Sequence, residues 1–324
     1  MAYDMVHFGN MLRDRRRREA YVSSLRAAVR PESVVLDLGA GPGFFAAVAA
    51  QLGARLVYAV DLLDAVNVVP LVAEANGMTG RLLTFHGDVR SVELPEPPDV
   101  VIADLRGVLP LHTSGLGVIA DVRERVMTPE GIWLQQRDEL RAALVSLNRS
   151  TLEAAWDEPG LELGMLRRLA VSVPRRVQLE PRQVLSTVGT WASIDYADVE
   201  DLRRDRRRGE CAVTVAADGA ANAVAVWFDA ELFGGIRHSS EPGDDYTTYG
   251  QFSLPLADPL ELRAGELVTI SVSFNRLEGG VVWRWTVTGE RERREGSSLD
   301  AIPMAPPSLS AQNASAAGSG NGRS

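Results

Sequence analysis

Residues 34–45 read Val-Val-Leu-Asp-Leu-Gly-Ala-Gly-Pro-Gly-Phe-Phe. An unbroken apolar run of strand length delivers Gly39, Gly41 and Gly43 into a turn, and a small, apolar, helix-forming stretch follows at once. Glycine adopts positive φ without steric penalty and lets a ligand approach main chain with no Cβ in the way. The same rhythm continues downstream. Residues 56–60 form a second strand-like run ending at Asp61, a helix is predicted over 65–76, and short apolar runs recur at 82–86 and 100–103. Strands alternating with helices at this spacing predict a parallel sheet with right-handed crossovers, an α/β fold of the Rossmann-like, doubly wound kind.

The glycine turn also carries chemistry. Asp61 lies 22 residues after Gly39, at the end of the next strand, where a carboxylate accepts hydrogen bonds from both hydroxyls of a ribose. The dinucleotide fingerprint requires G-x-G-x-x-G, whereas here the sixth position is Phe44 and a glycine comes one residue early. Pro42 removes a backbone donor that a pyrophosphate would use. The pattern D-x-G-x-G-x-G, begun by Asp37, fits a nucleoside carrying an amino-acid portion, S-adenosylmethionine; a dinucleotide or a purely structural turn are the alternatives. Asp37, Gly39, Ala40, Gly41, Gly43 and Asp61 are therefore the candidate cofactor residues. Asp88, with Val89 beside it, follows the third strand within reach of an adenine amino group, with a solvated strand-end acid as the alternative. Asp104 ends the fourth strand, on the side of an open parallel sheet that faces the ligand crevice.

Composition narrows the function classes. The formal charge is −9, which argues against a nucleic-acid protein acting through bulk positive potential. Every one of the 34 basic residues is arginine, so lysine Schiff-base or Walker-type phosphate chemistry is excluded. A single cysteine, Cys211, and four scattered histidines exclude an internal disulfide framework and argue against a metal site. No run of about 18 apolar residues predicts a membrane span. The N-terminus is charged where a signal peptide needs an apolar core, which predicts a cytoplasmic protein. The arginine runs at 15–18 and 203–208 read as solvated faces or a flexible loop, because acids surround the second.

The pattern changes after about residue 135. A Leu/Arg/Glu-rich stretch over 139–168 has helical spacing, and short strands with turns follow at 212–216, 223–229, 267–273 and 281–287. This half predicts a mainly antiparallel, barrel-like sheet, packed by Trp227, Trp283 and Trp285. The Ser/Ala/Gly/Pro-rich residues 296–324 predict a disordered tail.

From about residue 3 to residue 288 the order of segments resembles the protein arginine methyltransferase family, within class I S-adenosylmethionine-dependent methyltransferases. His7-Phe8-Gly9 followed by Met11-Leu12-Arg13-Asp14 is similar to that family's N-terminal H-F-G…M-L-K-D segment, and 35–61 is similar to its cofactor loop and ribose acid. The resemblance implies a division into an N-terminal helical cofactor lid (1–30), a Rossmann-like cofactor domain (31–138), a helical dimerisation arm (139–168), a β-barrel domain (169–295) and a tail (296–324). It implies that Arg17 pairs with the methionine carboxylate of the cofactor, that residues around Tyr3 to Phe8 close over it, and that the chain forms a homodimer through 140–168. The departures lie on the acceptor side. Of the two glutamates with which the family clamps a guanidinium, the first becomes Asp104 and the second Thr113; the Thr-His-Trp segment becomes Thr247-Thr248-Tyr249. Two facing carboxylates localise the guanidinium charge on one nitrogen and offset its desolvation, each charged hydrogen bond contributing about 1.5–3 kcal/mol. The sequence therefore predicts a methyltransferase in which Asp104 orients the acceptor or takes its proton, with an acceptor other than peptide arginine, such as a small molecule. Arginine methylation through a degenerate clamp, or a cofactor-binding dimeric scaffold without turnover, are the alternatives.

Overall fold

The computed structural model describes residues 4–300 except Gly279. Tyr3 and residues 301–324, which hold most of the predicted tail, lie outside the described residues.

The predicted N-terminal helix is two helices, α1 (Met5–Arg13) and α2 (Arg15–Ala28), separated by Asp14. On α2 the buried residues Arg17, Ala20, Tyr21, Ser24, Leu25 and Ala28 recur at three- and four-residue spacing and form one stripe. Complete burial of Leu25 alone contributes about 1.5–3 kcal/mol. No residue of α1 is buried.

The α/β half comprises β1 (Val34–Leu38), α3 (Phe44–Gln51), β2 (Leu56–Asp61), α4 (Val69–Ala75), β3 (Leu82–His86), β4 (Val100–Ala103), α5 (Gly115–Arg125) and β5 (Ile132–Trp133). Its strands pair in parallel in the order β3-β2-β1-β4-β5. The chain builds outward from β1 on one side and resumes with β4 on the other. The carboxyl ends of β1 and β4 thus flank the point where strand order reverses, the usual ligand crevice of such sheets. All five residues of β1 are buried, as a strand with helices on both faces requires.

The second half holds β6 (Gln135–Val145), α6 (Ser150–Ala154), α7 (Gly164–Val171), β7 (Arg175–Val177), β8 (Gly189–Asp195), α8 (Val199–Leu202), β9 (Arg206–Thr214), β10 (Gly219–Leu232), β11 (Ile236–Ser239), β12 (Gln251–Leu262), β13 (Leu267–Leu277), β14 (Gly280–Thr288) and β15 (Arg293–Ser297). Among the described residues these strands form two antiparallel sheets, β7-β12-β10-β6-β8 with β11 on β10, and β15-β14-β13-β9. Leu140, Trp191, Val226, Leu254, Phe274, Trp283 and Trp285 share one core between them, the barrel-like body that the alternation predicts.

Three boundaries differ from the sequence reading. Residues 139–145 are not helical: they belong to β6, which pairs with both β10 and β8. Leu140 and Leu144 are four apart, a spacing that puts two side chains on one face of a helix and equally on one face of a strand. The helical arm is confined to α6 and α7; Trp156 and Leu161 in the connection between them, and Met165 and Leu166 on α7, are exposed. Arg206 to Arg208 are strand rather than loop; Arg207 is buried, its guanidinium donating to Asp201 Oδ1 (3.0 Å) and to the Ser193 carbonyl (2.8 Å). Gly296 and Ser297, placed in the tail, complete β15, because glycine lets that edge strand lie against the Trp285 indole.

Candidate functional site

The loop between β1 and α3 is held by its own hydrogen bonds. Gly39 and Ala40 amides donate to the Val60 carbonyl (2.8 and 3.2 Å), Gly43 to the Ala40 carbonyl (2.9 Å), and Gly41 to Asp61 Oδ2 (2.7 Å). Gly39, Gly41 and Gly43 have φ of 75°, 52° and 83°, a region that side chains with a Cβ rarely adopt. Close approach adds a second requirement. A Cβ at Gly39 would stand 2.6 Å from Leu105 Cδ2, and one at Gly41 would stand 2.6 Å from Phe8 Cε1. The loop thus meets the acceptor-side loop at Gly39 and the N-terminal helix at Gly41.

Asp61 closes this turn from β2, its Oδ1 accepting from the Leu63 amide (2.8 Å). Each carboxylate oxygen carries two lone pairs, so one main-chain bond apiece leaves capacity for two ribose hydroxyls. Asp37 is placed differently from its reading as a ligand contact. Fully buried beneath the loop, its Oδ2 accepts from the Ala46 amide (2.8 Å) in the first turn of α3, and burial pushes its carboxyl up to about 7. It fixes the loop to the helix. Asp88 accepts from the Arg90 amide and guanidinium (2.5–3.1 Å), and these bonds hold its carboxyl at about 2. Val89 is buried in the main core.

Across the crevice, Asp104 follows β4 with its side chain almost wholly buried. Arg17 Nε donates to its Oδ2 (2.5 Å), and so does the Tyr249 hydroxyl (2.7 Å). Arg106 Nη1 stands 3.6 Å from Oδ1, which is buried without a hydrogen-bond partner among the described residues. Burial would raise the Asp104 pKa, but the Arg17 and Arg106 guanidiniums and the Tyr249 hydroxyl outweigh it and hold the carboxyl at about 2. A carboxylate so held is a fixed negative charge and a hydrogen-bond acceptor.

Arg106 itself is locked. Its Nε and Nη2 donate to the two oxygens of Asp138 (2.8 Å each), its Nη1 donates to the Tyr21 hydroxyl, and Tyr196 donates to Asp138 Oδ2 (2.7 Å). This buried network ties α2, the loop after β4, β6 and the end of β8 together. Asp14 adds another tie: Oδ1 accepts from the Arg17 amide (3.0 Å) and caps α2, while Oδ2 accepts from the Thr248 amide (2.8 Å). The missing second clamp residue, Thr113, donates its hydroxyl to the Leu105 carbonyl (3.0 Å) and so closes its own loop. His238 stacks on Tyr249 at 6.0 Å, and burial lowers its pKa to about 3. His112 stacks on Trp283 at 5.2 Å, and burial lowers its pKa to about 4.

The structure therefore brings Arg17, Gly39, Gly41, Asp61 and Asp104 to one crevice, places Asp37 beneath it and gives Val89 to the core. Sequence reasoning missed Asp138 and Tyr21, which sit in or beside polar stretches (Gln135-Gln136-Arg137-Asp138-Glu139 and Arg15 to Glu19) that give no local signal, and Asp14 as a bridge between the two halves. Among the described residues no group of three or more His, Cys, Asp or Glu has a metal-binding arrangement, and no helix is long and apolar enough to cross a membrane.

Comparison with known proteins follows the two halves. Residues 22–153 match the family model of FtsJ-like methyltransferases, and residues 138–281 match that of the arginine methyltransferase oligomerization subdomain. An arginine N(omega)-methyltransferase of Streptomyces achromogenes subsp. streptozoticus is 27% identical over 281 residues, covering 83% of this chain and 76% of that protein. Probable protein arginine N-methyltransferase 6 of Arabidopsis thaliana is 28% identical, covering 72% of this chain and 56% of its own length. Among solved structures, the Trypanosoma brucei PRMT1 enzyme–prozyme heterotetrameric complex with AdoHcy superposes with a TM-score of 0.83 at 22% identity, over 91% of this chain and 98% of that one. Arabidopsis thaliana protein arginine methyltransferase 10 gives 0.77 at 19% identity, with the same coverage. The chain is thus similar in sequence to arginine methyltransferases, matches a methyltransferase family model in its parallel-sheet half and an arginine methyltransferase oligomerization subdomain in its antiparallel half, and shares its fold with solved protein arginine methyltransferases.

Proposed function

We propose that the chain transfers a methyl group from S-adenosylmethionine to a small-molecule acceptor rather than to a peptide arginine. Bound in the crevice, the cofactor supplies a methyl group already activated on a sulfonium, so the protein's task is alignment. The residues present fit it. Asp61 has lone pairs for the ribose hydroxyls, and Arg17, which spends Nε on Asp104 and Tyr249, has its Nη groups for the methionine carboxylate. Phe8, against Gly41, comes from a helix without buried residues and is the part of the wall that yields to a ligand. Asp88 reaches the adenine amino group only in competition with Arg90. Asp104 orients the acceptor.

The observation that carries the acceptor reading is that one carboxylate stands where a guanidinium needs two, and that this carboxylate is already shared by Arg17 and Tyr249 while Thr113 is turned into its own loop. The names of the relatives favour a second reading, methylation of arginine through the degenerate clamp. Incubating the protein with methyl-labelled cofactor and a cell lysate separates them: label in small molecules supports the proposal, and label in protein arginines overturns it. Calorimetry with S-adenosylhomocysteine tests the cofactor; no binding below millimolar concentration removes both readings. Binding without turnover on any acceptor favours the scaffold. The exposed apolar residues of α7 and of the connection before it support a homodimer formed through that arm, and light scattering at micromolar concentration checks it. A cytoplasmic location is part of the same reading.

A further inference from the structure

We infer that the crevice reads the cofactor's sugar but not the 6-amino group of its base, and that Arg90 sets this by occupying the carboxylate beside the base. The inference rests on the cofactor reading above and concerns the base end of that same site.

Two acids follow one another along the carboxyl ends of neighbouring strands. Asp61 ends β2 level with His86, the last residue of β3, and its carbonyl accepts from the Gly87 amide (2.8 Å). Asp88 is the next residue, so this acid stands beyond the ribose acid, on the side of β2 away from β1. A nucleoside laid across these strand ends, with its methionine end towards Arg17 and its sugar on Asp61, carries its base to the β3 side. The Asp88 side chain is 29% exposed, so a ligand can reach it.

The two carboxylates differ in how much of their capacity is left. Each has about four lone-pair sites. Asp61 spends one per oxygen, on the Gly41 and Leu63 amides (2.7 and 2.8 Å), and keeps the others for the ribose hydroxyls. Asp88 spends both on each oxygen. Its Oδ1 accepts from the Arg90 amide (2.9 Å) and from Arg90 Nε (2.9 Å), and its Oδ2 accepts from Nε (3.1 Å) and Nη2 (2.5 Å).

The base is the weaker competitor for this acid. Its amino group is a neutral donor, and charge-assisted bonds such as those of the guanidinium fork are about twice as strong as neutral ones. The surroundings keep Arg90 in place. Its Nη1 lies 3.8 Å from Asp121 on α5, which already receives Arg125 (2.8 Å) and Arg203 (2.9 Å), while Glu124 takes the other side of Arg203 (2.7 Å). Moving onto Asp121 would make Arg90 the third guanidinium on that carboxylate. Arg90, Arg125 and Arg203 are matched by Asp88, Asp121 and Glu124, so this cluster has no surplus negative charge to draw Arg90 off.

Calorimetry on the full chain tests this with S-adenosylhomocysteine and its analogue carrying plain purine, which lacks the 6-amino group. The unsubstituted chain is expected to bind the two within threefold of each other. Arg90→Met frees the carboxylate, and is expected to raise the preference for S-adenosylhomocysteine to at least tenfold, the order of one charged hydrogen bond. Adding Asp88→Ala to Arg90→Met is expected to bring the two ligands back within threefold. A larger preference in the unsubstituted chain overturns the inference, as does a ratio that Arg90→Met leaves unchanged. Failure of S-adenosylhomocysteine to bind at all is a separate result, seen in the first titration, and removes the cofactor reading together with this inference. The comparison on the unsubstituted chain stands whether or not the variants fold.

Discussion

The loops after β1 and β4 face each other across the crevice and have been treated differently by the sequence. The first keeps its chemistry in the main chain: positive-φ glycines, amides bonded within the turn, and one acid, Asp61, closing it from the next strand. The second keeps its chemistry in side chains that engage one another, with Asp104 between Arg17, Tyr249 and Arg106, and Arg106 bound to Asp138. A main-chain site depends on local geometry and is legible in a dozen residues. A side-chain site depends on which partners the fold brings together, so substitution changes what it selects without disturbing the frame.

The comparison breaks most readily at Asp138. Asp138→Ala leaves the Arg106 guanidinium buried and uncompensated, and is expected to cost about 3–5 kcal/mol in chemical denaturation. An unchanged midpoint would mean that the acceptor side is not held by this pair. Asp61→Ala probes the other loop. It removes the bonds to the Gly41 and Leu63 amides and, on the proposed cofactor placement, the acceptor for the ribose hydroxyls, so calorimetry is expected to give S-adenosylhomocysteine affinity lowered by roughly 10- to 100-fold.

A pH effect sharpens the role of Asp37. Burial raises its carboxyl to about 7, above the ordinary carboxylate range. Between about pH 4 and 7 the folded chain keeps a proton that the unfolded chain has lost. Its contribution therefore falls as pH rises through that window. Asp37→Asn, which can still accept from the Ala46 amide, is expected to reduce the loss of stability between pH 5 and 8 by on the order of 2 kcal/mol; thermal melts at the two pH values measure it. The smallest effect is expected at Asp14. Asp14→Ala loses the cap of α2 and the bond to Thr248, for about 1–2 kcal/mol, and Asp14→Asn recovers part of it.

How far each half could be read in advance follows from the same contrast. β1, β2 and the glycine turn declare themselves because a fully buried parallel strand is a plain apolar run and the turn needs glycine. β6 was misread as helix because Leu140 and Leu144 satisfy either period; only its pairing with β10 and β8 decides between them. Arg207 looked like part of a solvated run because its partners, Asp201 and the Ser193 carbonyl, meet it only once β8 and β9 lie side by side. Asp104 and Tyr249 are separated by 145 positions, and nothing local in either segment reports that the Tyr249 hydroxyl donates to the Asp104 carboxylate. The place of Asp104 at a strand end beside the crevice was legible, while its engagement by Arg17, Arg106 and Tyr249 was not, because those partners come from distant segments.

Asp14 has a mechanical consequence. It ends one helix, starts the next, and is fastened to Thr248 in the other half of the molecule. That makes it a fulcrum bolted to the far wall, so any swing of α1 would turn about Asp14. Such a swing would carry Phe8 away from Gly41, while Arg17, three residues past the pivot, could keep its bond to Asp104.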